Sequence, residues 1–151
     1  MALGATTYKT PNIINQIGSD MTAKEGCGVY LSTANCVDFA FVPAAPPYGI
    51  IVTGTDSLTP GTYPSAIGDA ALELVDQIGC VVQVLLSGTS GITAGQFLTI
   101  DTNDGDGTFT AEDTAPLAEN DWVWGMALTD ADPNQQCLMR FQPYKIQYVA
   151  P

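Results

Sequence analysis

The side chains that could carry chemistry in this chain of 151 residues are almost all carboxylates. The sequence contains 16 Asp and Glu, four Lys and Arg, and no His. Without His, no Ser-His-Asp or Cys-His nucleophile pair and no His-ligated zinc site can form, so acid–base catalysis would fall to carboxylates. No two of them are singled out by their sequence surroundings, and a catalytic acid needs an apolar pocket that raises its pKa. We therefore expect no catalytic residues and no enzymatic activity.

One acidic segment, residues 102–113, has part of the pattern of a twelve-residue calcium-binding loop. It places acids at loop positions three, five and twelve and Gly at position six. However, Thr102 stands where calcium loops have Asp, and Asp113 at position twelve is shorter than the usual bidentate Glu. The flanking segments are typical of strands rather than helices. We expect a polar β-hairpin turn, with calcium binding as the alternative, and we predict no metal site and no cofactor.

The four cysteines, Cys27, Cys36, Cys80 and Cys137, form no CxxC pair and have no His partners, which argues against zinc. Cys27 and Cys36 could form a disulfide in an oxidising compartment. Residues 1–10 lack the basic start and the apolar stretch of a secretion signal. We therefore expect synthesis in a reducing cytoplasm and small, buried free thiols.

The charges are distributed unevenly along the chain. Fifteen of the 16 carboxylates lie between residues 25 and 139, where there is no Lys or Arg, and the four cations lie near the two ends. Nucleic acid is a poor partner for a chain with net charge −12, because phosphate binding depends on cationic side chains. The long uncharged stretches are interrupted by Pro and Gly, so we expect no membrane span. An acidic middle suits a solvent-exposed body whose less acidic ends contact another protein.

Short apolar runs separated by turn residues predict eight strands. The runs are rich in Val, Ile, Thr, Tyr and Phe. One helix is predicted over residues 65–78 from apolar residues at helical spacing, although Leu72 and Leu74 also alternate with Glu73 as in a strand. The fold class is therefore all-β, a small β-sandwich or barrel with at most one or two short helices. The predicted strands cover residues 28–32, 37–42, 50–53, 80–86, 96–100, 108–111, 122–128 and 137–141.

The first 20 residues predict an extended N-terminal arm, followed by a single β-rich domain over residues 21–151. The arm mixes Thr, Asn, Gly and Pro with three isoleucines. Terminal segments of this composition are ordered only when they dock, either on their own domain or on a neighbouring protein. We expect the arm and the C-terminal tail to contact a partner through Lys9, Pro11, Ile13, Ile14, Ile17, Tyr144 and Lys145.

The predicted strand at 122–128 is apolar on both faces. A two-residue period places Trp122, Trp124 and Met126 on one face and small residues, including Gly125, on the other. Such a strand packs between two layers or against a second subunit, and Gly125 marks a close approach of another chain segment. We predict a subunit interface through Trp122, Trp124, Gly125 and Met126. Alternatively, the two Trp side chains stack on sugars.

Residues 81–141 resemble a family of short, β-rich proteins of tailed phages that decorate or cement the capsid. The similarity lies in an apolar strand ending in Gly (VQVLLSG), a turn leading into a strand (GITAGQ), an acidic turn at 101–107, and the segments WGMALTDA and QCLMRF. The resemblance implies a small barrel or sandwich, commonly trimeric, that sits outside the assembled head and stabilises it without catalysis.

We therefore predict a structural virion protein that binds the outer surface of an assembled phage capsid. Its partners would be the major capsid protein and further copies of itself in a homotrimer, with no nucleic acid and no membrane. It would reside on the capsid exterior after assembly in the host cytoplasm. The alternative is a receptor- or carbohydrate-binding β-sandwich module on a virion surface, using Trp122 and Trp124.

Overall fold

The computed structural model describes residues 14–17, 21, 23–33, 36–57, 68–114 and 117–147. These residues form ten strands arranged in two sheets, and none of them lies in a helix. The predicted all-β fold class is therefore confirmed. In this described part of the chain, no helix has the length and apolar character needed to span a membrane.

The N-terminal sheet closes into a barrel with the strand order β1-β3-β2-β4-β5. Strand β1 closes it, since it pairs parallel to β3 on one side and antiparallel to β5 on the other. Gln16 lies opposite Cys36 in the first pairing and opposite Asp69 in the second. The strands are β1 (Ile14–Ile17), β2 (Gly28–Thr33), β3 (Cys36–Phe39), β4 (Gly49–Ser57) and β5 (Gly68–Val75).

The second sheet is antiparallel and has the order β6-β10-β9-β7-β8. Its two edges approach each other just after β6, where Leu86 forms a parallel bridge with Phe109 of β8. The sheet is therefore strongly curled, and one of its faces is enclosed. Its strands are β6 (Val81–Leu85), β7 (Phe97–Ile100), β8 (Phe109–Ala111), β9 (Trp122–Ala127) and β10 (Gln136–Lys145).

The helix predicted over residues 65–78 is wrong, because residues 68–75 form strand β5. This strand pairs with β1 on one side and β4 on the other, so both neighbours satisfy its backbone hydrogen-bonding groups. The alternation around Glu73 was thus the better indicator, and tertiary pairing outweighed the helical spacing. All eight predicted strands are present, with shifted ends.

The two sheets pack against each other around one core. Trp124 is fully buried and makes edge-to-face contacts with Phe109 and Phe141, with ring centroids 5.4 and 6.4 Å apart. The barrel contributes Ala40, Ile50 and Val75 to the same cluster. A second cluster fills the barrel itself and includes Met21, Cys27, Val29, Val37, Phe39, Ile51 and Leu74.

Backbone hydrogen bonds join the barrel to the second sheet. The Gly28 N–H donates to the Gly107 carbonyl at 2.8 Å, and the Leu85 N–H donates to the Gly26 carbonyl at 3.0 Å. The turn between β7 and β8 thus lies directly on the start of β2. These bonds hold one face of the second sheet against the barrel. The other face of the second sheet therefore lies on the outside of the molecule.

Candidate interaction face

A row of side chains crosses the outer face of the second sheet. Val81 of β6 lies opposite Arg140 of β10, which lies opposite Met126 of β9, which lies opposite Phe97 of β7. The Glu112 N–H donates to the Phe97 carbonyl at 2.9 Å, so the same register continues to Glu112 just after β8. Directly opposed residues present their side chains to the same face of a sheet. We call these five residues the outer row.

The outer row and its surroundings expose large apolar side chains. Val81 is 48% exposed and Phe97 43%. Tyr144 is also exposed and packs edge-on against Phe97, with ring centroids 6.2 Å apart. Ile78, 72% exposed, lies in the turn before β6, which is tied to β10 by a hydrogen bond from the Gly79 N–H. A clustered apolar surface of this kind is typical of a protein contact site.

The two halves of the outer row, on either side of Met126, carry opposite charges. Arg140 lies next to the β6 edge, and Glu112 lies at the β8 edge. Among the residues that the structure describes, Arg140 makes no ion pair, whereas Lys24 pairs with Asp106 at 3.4 Å. Partial burial raises the pKa of Tyr144, and the Glu112 carboxylate raises it further. The Glu112 carboxylate therefore opposes ionisation of Tyr144, one member of the exposed aromatic pair. Across the sheet, the charge of the outer row changes from positive at Arg140 to negative at Glu112.

The structure brings two of the predicted contact residues to this face. Met126 lies within the outer row and Tyr144 lies beside it, whereas Lys145, the next residue of β10, lies opposite Trp122. Trp122 is half-buried and packs against the shared core. Sequence reasoning missed Val81, Phe97 and Arg140, which meet only because the strands are ordered β6-β10-β9-β7.

Trp124 is enclosed by its own chain and presents no surface to a partner subunit or a sugar. The strict alternation predicted for residues 122–128 is wrong, since Trp124 joins the core while Met126 lies in the outer row. Between Phe141 and Tyr144, β10 has one residue more than the stretch of β9 opposite it. A bulge of this kind re-aims neighbouring side chains.

Gly125 is also buried, and its neighbour is β10 of the same chain. A Cβ atom at Gly125 would collide with the carbonyl oxygen of Arg140. This confirms the close approach predicted at Gly125. The approaching segment belongs to this sheet, so the small residue permits the β9–β10 pairing.

Two of the predicted arm residues, Ile14 and Ile17, lie in β1 and so in the barrel of their own chain. The sequence predicts that the arm docks either on its own domain or on a neighbouring protein. Residues 14–17 dock on their own domain. Lys9, Pro11 and Ile13 lie outside the described residues.

Residues 102–108 of the acidic segment form the predicted turn between β7 and β8, and residues 109–111 form β8 itself. Just before the turn, the buried Asp101 carboxylate accepts hydrogen bonds from the Ser87 and Thr89 hydroxyls, both at 2.5 Å, and from the Asn103 backbone N–H at 2.8 Å. Burial raises the pKa of Asp101, but these hydrogen bonds outweigh it and leave the pKa below its ordinary value. Within the described ranges, no three potential metal ligands cluster here or elsewhere. The carboxylate thus orders two loops.

Cys27, Cys80 and Cys137 are free thiols; Cys27 and Cys137 are buried as predicted, whereas Cys80 is partly exposed. Burial raises the pKa of Cys27 to about 12, with a further contribution from the Asp106 carboxylate, and burial raises the pKa of Cys137 to about 11. Both thiols are therefore protonated at neutral pH and are poor nucleophiles. The side chain of Cys36 lies outside the described residues.

A groove of about 170 Å³ lies between β4 and β6. It is lined mainly by Val and Ile side chains of the two sheets, together with Gln83, Gln136 and one carboxylate, Glu25. It is smaller than the roughly 300–1,000 Å³ of typical ligand pockets, and an acid–base pair needs a second carboxylate. The outer row is therefore the stronger candidate for a functional surface.

No protein-family model matches the chain, and its sequence matches no curated protein. The resemblance to capsid decoration proteins thus rests on the sequence segments quoted above.

Proposed function

We propose that this chain is a structural protein that binds the outer surface of a tailed-phage capsid and stabilises it. The outer row is the observation that carries the proposal. Single exposed apolar residues are ordinary on protein surfaces. Here, however, Val81, Met126, Phe97 and Tyr144 gather on one face of an otherwise acidic molecule, together with the cation of Arg140. Such a surface favours protein association over catalysis.

Stabilisation of the shell would follow from mass action. A protein that binds the assembled shell and not the free shell subunits shifts the equilibrium towards the shell. Each copy contributes by removing apolar area from water, at about 25 cal/mol per Å². When the protein attaches to the shell at several points, each bound contact raises the effective concentration for the others. Several weak contacts therefore give a slowly dissociating complex. This mechanism requires no bound cofactor and no catalytic group.

The chain ends remain the proposed points of attachment to the shell. Lys9, Pro11 and Ile13 precede β1, and Tyr144 and Lys145 end β10. Because residues 14–17 complete the barrel, a truncation that tests the arm must end at residue 13.

The test is sedimentation of the purified protein with stripped heads of the phage that encodes it. We expect the full chain to co-sediment with the heads and to raise the temperature at which they release DNA. A variant lacking residues 2–13 should keep its circular dichroism spectrum and lose binding. Absence of binding by the full chain would contradict the proposal, and quenching of Trp fluorescence by sugars alone would favour the carbohydrate-binding alternative.

A further inference from the structure

We propose that the outer row is the contact between two copies of this chain, related by a two-fold axis near Met126. This inference goes beyond the proposed function, because two copies can associate in solution without a capsid. It proposes a dimer in place of the homotrimer expected from the sequence. The outer row would then join two copies, and attachment to the shell would fall to the chain ends. The inference rests on the order of the side chains along the row, which runs from Val81 through Arg140, Met126 and Phe97 to Glu112.

This order is self-complementary when one row is turned around and laid on another. A two-fold axis near Met126 places the Met126 side chains of both copies in the centre. Each Arg140 then lies over Phe97 of the second copy and within reach of that copy's Glu112. The same contacts form twice, as a closed two-fold interface requires. The reversed row also places each Val81 over the second copy's Glu112, so the opposite charges meet diagonally. Arg140 of one copy lies one strand spacing along the row from Glu112 of the other.

The chemistry of the row fits such a contact. Met126 adapts its shape to an apolar surface. Arg140 gains a cation–π contact with the ring of Phe97 and an ion pair with Glu112. In the described part of a single chain, neither charge makes an ion pair. Association would therefore bury apolar area and pair both charges at once. A partner whose contact surface had one sign of charge could not pair both Arg140 and Glu112.

The outer row crosses the whole width of the second sheet. Four spacings of about 4.8 Å between strands give a length of about 19 Å. Tyr144 packs against Phe97 and extends the exposed apolar area beside the row. Sheets that pack face to face interdigitate side chains of this kind, so the row and Tyr144 would form the centre of the contact.

Sedimentation equilibrium of the full chain in about 0.15 M salt, where the Debye length is near 8 Å, tests the proposal. We expect twice the chain mass of 15.8 kDa. Arg140→Glu should weaken dimerisation at least tenfold, and so should Glu112→Arg. When these two variants are mixed, they should form a one-to-one heterodimer, because each contact then again joins opposite charges.

The matched control is Glu119→Arg, which makes the same change of charge as Glu112→Arg at an exposed loop residue outside the outer row. It should leave the dimer intact. Circular dichroism of each variant checks that the fold is kept. A monomeric wild-type chain at about 100 μM, roughly the weak limit of a specific contact, would overturn the inference. So would a trimer that the row variants leave unchanged, or a mixture of the two variants that stays monomeric.

Binding to phage heads is measured separately with the same proteins. A dimer that does not bind heads would contradict the proposed function and leave this inference standing. A monomeric chain that binds heads would contradict this inference and leave the proposed function standing.

Discussion

Asp101 joins two loops and the end of β7, because its buried carboxylate accepts hydrogen bonds from Ser87, Thr89 and Asn103. Hydrogen bonds to a charged group contribute about 1.5–3 kcal/mol each. The pKa of Asp101 lies below its ordinary value of 3.8 in the folded chain. Its stabilising contribution is therefore complete above pH 3.8 and is lost as the pH falls through the lowered folded value.

We expect Asp101→Asn to lower the free energy of unfolding by about 2 kcal/mol at pH 7, because an amide presents one acceptor oxygen in place of two. The variant should also lose the part of the acid destabilisation that begins below pH 3.8. Urea unfolding from pH 7 down to about pH 2.5, a range that spans the titration of carboxylates, gives both quantities. Asp132→Asn, at an exposed carboxylate, is the control and should change stability by less than about 0.5 kcal/mol.

Two glycines in the turn between β7 and β8 allow the cost of backbone strain to be measured separately from the cost of a steric clash. Gly105 and Gly107 have φ angles of +67° and +78°. A Cβ atom at Gly105 would meet open space, whereas one at Gly107 would collide with the Gly28 carbonyl oxygen. We expect Gly105→Ala to cost about 1 kcal/mol for the left-handed conformation. Gly107→Ala should cost at least about 2 kcal/mol more. Equal losses in thermal unfolding would show that the turn does not press on β2.

At the level of single residues, the sequence predicted some environments and not others. The buried thiols of Cys27 and Cys137 and the close approach at Gly125 followed from residue type. The complete burial of Trp124 did not, because it depends on a break in the alternation of β9. The one available signal was Pro143, which lies in the irregular stretch of β10 opposite this part of β9 and is a residue type found at bulges.

Strand β1 is the element that completes the barrel. A closed barrel has no free edge, and β1 has a partner on each side. Gln16→Pro removes a backbone N–H and fixes φ in the middle of this strand. We expect a loss of about 3 kcal/mol or more in the free energy of unfolding by urea, by analogy with the cost of Pro within regular structure. Gln16→Ala keeps the backbone N–H and should cost less than about 1 kcal/mol. If both variants unfolded at the same urea concentration, β1 would not be part of the barrel.

Among the elements, the pattern of short apolar runs separated by turn residues predicted eight of the ten strands that the structure describes. It missed β1 and β5 for different reasons. The four residues of β1, INQI, are too few to show a period, and the strand depends on partners at residues 36–37 and 68–71. In β5, helical and strand spacings are both present, so the neighbouring strands β1 and β4 decide the outcome.

For the whole molecule, the charge distribution could be read from the sequence, but the outer row could not. Its members come from four strands and the residue after a fifth, between positions 81 and 140. Phe97 and Arg140 become neighbours of Met126 only through the strand order of the second sheet. Composition indicated an acidic body with cations near its ends, and topology placed Arg140, one of those cations, within an apolar face.

We propose that this chain acts as a surface component of a phage particle. Quantitative mass spectrometry of purified particles tests this function most directly, with the major capsid protein as the internal reference. We expect the chain to be present in many copies per particle, in a fixed ratio to the shell protein, and to be digested by protease on intact particles. Its absence from particles, or its presence only inside the protected shell, would contradict this function.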